Sequence, residues 1–154
     1  MKKITLILVS LFFILPIYAE KVKKKVKLPA GTIVTIKTLE GVSSQKQVTP
    51  ACEVNADVWD EEGEFILIKK GTPADVQLKI KKASLVGEGG AVVFQPISTA
   101  AFNGRLIGFD QQTVSFYGED DALLRKNKKV RIPTGTSFRA YTANDLYFTI
   151  EVEE

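Results

Sequence analysis

The sequence predicts an all-β protein: a small antiparallel β-barrel, or a compact sandwich, with at most one short helix. Three observations carry this. About ten short segments are rich in β-branched and aromatic residues and are bounded by Gly, Asn or Asp. Several alternate apolar with polar residues, the period of a strand with one buried face. An aliphatic residue, two further residues and Gly-Thr recur as LPAGT from Leu28, IKKGT from Ile68 and IPTGT from Ile132. A closed barrel is favoured over a sandwich because closure removes exposed strand edges.

The chain opens on Lys2 and Lys3, an apolar run from Ile4 to Tyr18, and the small Ala19 before Glu20. Residues 1–19 therefore read as a secretory signal peptide, too short to span a bilayer, which takes roughly 20 apolar residues. The expected location is periplasmic or secreted, with no transmembrane segment once the signal is removed. Residues 20–27 hold KVKKKVK, a lysine-rich leader or first edge strand. Residues 28–154 make one domain, long enough to bury a core of its own.

Each repeated phrase is predicted to be a three-residue hairpin connection. The fixed φ of Pro29 and Pro133 suits the second position of a type I turn, and Gly31, Gly71 and Gly135 take the left-handed conformation of a G1 bulge. Thr32, Thr72 and Thr136 then restart a strand. Between the phrases, ACEVNADVW places Cys52, Val54, Ala56 and Val58 on one face, against Glu53, Asn55 and Asp57. Ala74, Val76, Leu78 and Ile80 alternate with Asp75, Gln77, Lys79 and Lys81 in the same way. LVGEGGA, residues 85–91, reads as a glycine-rich tip. Pro96 inside AVVFQPIST demotes that strand to an edge or a bulge. EDDALLRKN, residues 119–127, is the one segment with a helical pattern, acidic at its start and basic at its end.

The composition excludes several chemistries. There is no histidine and a single cysteine, Cys52, so no Ser-His-Asp or Cys-His centre, histidine metal site, thiolate cluster or internal disulfide can form. Cys52 reads as a small buried hydrophobe. The formal net charge of +3 falls to +1 without Lys2 and Lys3, and the body beyond the lysine run is faintly acidic, which argues against nucleic acid. Asp60, Glu61, Glu62 and Glu64 surround Gly63, and Glu119, Asp120 and Asp121 form a second acidic cluster. Neither has the alternating ligand spacing of a calcium loop, so calcium is the lesser reading. Glu53, Asp57 and Asp75 could supply a glycosidase pair only if a cleft brought them together. No catalytic residue, metal ligand or cofactor is assigned. Most aromatic residues are expected to fill the core or plug the barrel ends. Trp59 with Asp60 and Glu61, and Tyr117 beside Gly118, are the candidates for a ligand or partner patch.

PAGTIVTIKTLEGVSS, from Pro29, followed by CEVNADVWDEEGEFILIKKGTPA, from Cys52, resembles the front half of the β-barrel domain of TrbI-type components of conjugation and type IV secretion channels. It is also similar to small exported proteins of uncharacterised function that close on a Pro-x-Gly-Thr turn, as IPTGTSFRAYT does here. The resemblance implies a barrel without catalytic residues. The expected function is that of a non-enzymatic cell-envelope barrel acting on other envelope proteins or by self-association. The alternatives are a small-ligand or glycan-binding module and an accessory of a secretion or conjugation apparatus.

Overall fold

The computed structural model describes residues 20–44, 46, 48–82, 90–117 and 130–153. The signal segment, most of the glycine-rich tip, the predicted helix and the Glu119–Asp121 cluster lie outside the described residues. Every described element is a strand: β1 (Lys21–Leu28), β2 (Ile33–Thr38), β3 (Val42–Ser43), β4 (Cys52–Val54), β5 (Val58–Trp59), β6 (Ile66–Ile68), β7 (Pro73–Lys81), β8 (Ala91–Ala100), β9 (Leu106–Gly108), β10 (Val114–Tyr117), β11 (Arg131–Ile132), β12 (Ser137–Tyr141) and β13 (Leu146–Glu153).

Six strands form an antiparallel ring in the order β12, β2, β4, β7, β8, β9. A bridge between Phe109 and Thr142 closes it back onto β12. Two backbone hydrogen bonds flank that bridge, from Asp110 N to Tyr141 O at 2.7 Å and from Ala143 N to Gly108 O at 3.0 Å. β10 continues along the same edge of β8 that β9 begins, opposite Ala91 to Phe94. The predicted small barrel is the observed fold.

Alternation decides what fills the ring. One row of cross-strand neighbours runs Ile107, Thr99, Ala74, Cys52, Thr38, and all five are buried. A second row sets Phe138 against Ile36 and Ile36 against Val54. Inside the ring, Phe94 of β8 stacks on Phe138 of β12 with centroids 5.0 Å apart, and Phe116 meets Phe94 edge-on at 5.8 Å. Burying each such side chain contributes about 1.5–3 kcal/mol, and rings that meet face or edge add to it. The two threonines of the first row are satisfied from within: Thr99 Oγ1 donates to Pro73 O at 2.9 Å and Thr38 Oγ1 to Pro133 O at 3.4 Å.

Pro96 lies at a bulge, one of its two expected settings. Val76 opposes Pro96 while Asp75 opposes Ser98, which leaves Ile97 as the extra residue. β8 is nevertheless paired along both edges, because a bulge absorbs the missing proline donor.

The three repeated turns carry the predicted left-handed glycines, with φ of 77° at Gly31, 85° at Gly71 and 82° at Gly135. Their role as hairpins is corrected by the pairing. β1 and β2 do not pair with each other, nor do β6 with β7 or β11 with β12; each turn carries the chain from one ribbon into the ring. The turn is also one residue further on than expected. The amides of Thr32, Thr72 and Thr136 bond back to the carbonyls of Pro29, Lys69 and Pro133 at 3.2–3.3 Å, so glycine occupies the third of four positions, as in a type II turn. Each threonine hydroxyl donates to that same carbonyl at 2.7 Å, a reason for threonine beyond its β-branching.

The G1 bulge is present, but its partner comes from a third strand. Gly31, Gly71 and Gly135 donate to Thr142, Val54 and Thr38 at 2.7–2.8 Å, and the amides of those three residues return to Thr32, Thr72 and Thr136. A bulge strengthens local twist, so each phrase bends the chain round a barrel corner. At the first corner the same register holds on both sides of the interruption: β2 lies against β12 with Lys37 opposite Ser137, and β1 against β13 with Lys21 opposite Glu153. β1 and β13 therefore form a ribbon that projects from the ring, and among the described residues β1 pairs with no other strand.

Candidate functional site

The turn residues Pro29, Gly31, Thr32, Gly71, Thr72, Pro133, Gly135 and Thr136 are held by the barrel corners and belong to its framework. The predicted patch divides. Trp59 is 46% exposed on β5, and Tyr117 is 74% exposed on β10 opposite Ala91. Among the described residues no hydrogen bond, ion pair or ring contact joins Tyr117 to Trp59, Asp60 or Glu61. Asp60 is only 6% exposed. Its Oδ1 accepts from Glu64 N at 2.7 Å and Phe65 N at 2.9 Å, so it organises the turn between β5 and β6 and offers little to a ligand. Glu61 N donates to Lys27 O at 2.9 Å, fastening that turn to β1 while its carboxylate faces solvent.

The carboxylates considered for hydrolysis are each engaged locally. Glu53 pairs with Lys37 at 2.9 Å, Asp57 Oδ1 accepts from Lys70 N at 2.7 Å, and Asp75 accepts from the Ser98 hydroxyl at 3.3 Å. Cys52 is buried as expected, and desolvation pushes its thiol up to about 11. Ala56 breaks the predicted alternation and is exposed, because residues 55–57 leave the strand to turn the chain.

The structure adds a cluster at the end of the barrel that carries the ribbon. The turn from Ala101 to Arg105 joins β8 to β9 and is closed by Ala101 N to Arg105 O at 2.8 Å and Gly104 N to Ala101 O at 2.9 Å. It is fastened on two sides. Phe102 N donates to Leu67 O of β6 at 2.8 Å, and Arg105 Nη1 donates to Tyr147 O of β13 at 2.9 Å. The Arg105 guanidinium also lies 5.5 Å over the Phe148 ring, whose centroid is 5.8 Å from that of Phe102. Three elements are thereby tied together: the β5–β6 hairpin, the turn after β8, and the β1–β13 ribbon. They present Trp59, Phe102, Leu106 at 70% exposure and Tyr147 at 60%. At the margin Lys27 pairs with Asp145 at 3.1 Å. The Ala30 amide, at 2.7 Å, and then Lys27 hold the Asp145 carboxyl below its ordinary value, while Asp145 raises Lys27.

Most aromatics do pack in or against the core, and Phe102 and Tyr147 are exceptions. In LYFTIEVE, alternation sets Leu146, Phe148, Ile150 and Val152 inward and so turns Tyr147 outward with Thr149 and Glu151, a signal present in the sequence. Phe102 and Leu106 flank an Asn-Gly turn, and only the docking of that turn decides how much of them remains exposed.

Among the described residues, concavities lie beside the β3 and β11 strands and under the ribbon. One, of about 410 Å³, lies against the paired strands β3 and β11 and is lined by Gly41, Val48, Arg131 and Pro133 among others. The other, of about 310 Å³, lies under the ribbon and is lined by Val22, Lys23, Lys24, Glu64, Phe65 and Val152. Lys24 bridges its rim to Glu62 at 3.0 Å and, more closely, to Glu64, with its ammonium 5.4 Å over the Phe65 ring. No protein-family model matches this chain, and no curated protein matches it significantly.

Proposed function

We propose that the protein is an exported cell-envelope barrel that acts by binding other proteins of the envelope, with no catalytic step of its own. The observation that carries this reading is the group Trp59, Phe102, Leu106 and Tyr147, exposed on three segments that hydrogen bonds and Arg105 hold in fixed relation. Aromatic side chains on a rigid surface anchor protein interfaces at low entropic cost. The interior of the ring is occupied by Phe94, Phe138 and their neighbours, which favours a surface mode of binding over a ligand in the barrel mouth. Export rests on the signal-peptide pattern of residues 1–19.

The test is a crosslinking pull-down from the cell envelope with residues 20–154, run beside a Leu106→Asp, Tyr147→Asp double variant. Both side chains are exposed, so the variant should fold. A reproducible partner captured by the parent and lost from the variant supports the reading. Equal capture by both, or none by either, overturns it.

A further inference from the structure

We propose that the free edge of β1, from Lys21 to Lys25, takes up an extended segment of a partner protein, alternating acidic with apolar residues, as an added strand. This deepens the reading of the protein as a binder of other proteins and rests on it.

The edge follows from the parity of the ribbon. In an antiparallel pair, alternate residues turn their N–H and C=O groups toward the partner strand and the others turn them away. Lys27 sits opposite Tyr147, and both carbonyls are engaged from outside the ribbon, Lys27 O by Glu61 N and Tyr147 O by Arg105. Lys25, Lys23 and Lys21 have the same parity as Lys27. Their backbone groups therefore point to the open side of β1, and among the described residues nothing bonds to them. The Glu61 contact closes the edge at Lys27 and leaves it open from Lys25 outward.

Side-chain chemistry then selects the occupant. Lys21, Lys23, Lys25 and Lys27 share one face of β1, and among the described residues Lys23 and Lys25 have no carboxylate partner. On the other face, Val22 and Phe65 border the concavity under the ribbon, where an apolar side chain of an added strand would lie. β13 already shows what β1 accepts on its occupied edge. Glu153 and Glu151 stand opposite Lys21 and Lys23, while Val152 stands opposite Val22. A strand of the same alternation would repeat this pairing on the open edge. A second β1 is disfavoured there, because it would set lysine against lysine. Strand addition draws affinity from main-chain bonds and selectivity from alternate side chains, the two features this edge supplies.

The probe is a fluorescent eight-residue peptide alternating Val and Glu, followed by anisotropy at low salt and near 0.15 M, where screening acts over about 8 Å. Saturable binding is expected. It should weaken at least tenfold when the peptide amides facing β1 are N-methylated, and at least tenfold for Lys23→Glu with Lys25→Glu in the protein. Lys23→Pro deletes an outward N–H while leaving the ladder to β13 intact, and should weaken binding likewise; circular dichroism checks that each variant is folded. Equal binding of the methylated peptide would show attraction of charge without strand pairing and overturn the proposal, as would the absence of saturation. Dimerisation of the chain itself, lost in Lys23→Pro, would make a second copy the occupant and overturn it too. If the envelope pull-down still depends on Leu106 while the peptide fails, this inference falls and the broader reading stands.

Discussion

Phe109 pairs with Thr142 at the one junction where the ring of six strands would otherwise stay open. The two residues directly follow β9 and β12, which separate ladders join to the rest of the ring, so their contact converts a curled sheet into a barrel. The amides of Asp110 and Ala143, which flank it, should exchange with solvent as slowly as those of β2 and β12. Hydrogen exchange resolved by residue checks this, and rapid exchange of both amides would describe an open sheet. Phe109→Ala should also cost about 3–5 kcal/mol in urea unfolding, the usual range for truncating a buried phenylalanine.

The corner glycines separate backbone strain from crowding. A Cβ built on Gly71 or Gly135 meets nothing within 4 Å, yet both have φ above 80°. Gly71→Val and Gly135→Val should each destabilise the protein by more than about 1 kcal/mol through strain alone. Gly108 has equally open space and no positive φ, so Gly108→Ala is the matched control and should change the urea midpoint far less.

Asp60 is expected to govern stability. Asp60→Ala leaves the part-buried amides of Glu64 and Phe65 without their acceptor, a loss of about 0.5–1.5 kcal/mol for each hydrogen bond removed. Thermal unfolding should show the loss. An unchanged melting temperature would mean that water replaces the carboxylate at no cost.

Asp145 makes an acid-dependent contribution. Its carboxyl is held below the ordinary 3.8, first by the Ala30 amide and then by Lys27, so the charged form is favoured in the folded state. The associated stabilisation is complete above 3.8 and disappears as pH falls through the lower folded value. Asp145→Asn should therefore be less stable than the parent near neutrality, with the difference closing as pH drops below 3.8. A difference that persisted in acid would assign the effect to shape instead of charge.

Much of the fold was legible because its signals are local. Period-2 alternation placed Cys52, Val54, Val58, Ala74 and Val76 inside, and the Gly-Thr phrases located three turns with left-handed glycines. The pairing was not legible. A turn constrains four residues, whereas the partner of Gly31 is Thr142, chosen by the closure of the whole ring. The candidate surface divides along the same line. Tyr147 was readable from alternation, but Asp60 looked like an exposed acid until the loop folded its carboxylate onto two amides. Phe102 and Leu106 acquired their setting only when Arg105 reached Tyr147 across 42 residues of chain.

The most direct test of the proposed function is site-specific photo-crosslinking in the intact envelope, with the reactive group at position 106 and a control at position 77, where Gln77 is exposed on β7. The account predicts a crosslink from position 106 to a defined envelope protein and none to that protein from position 77. The same products from both positions, or none from position 106, would contradict it.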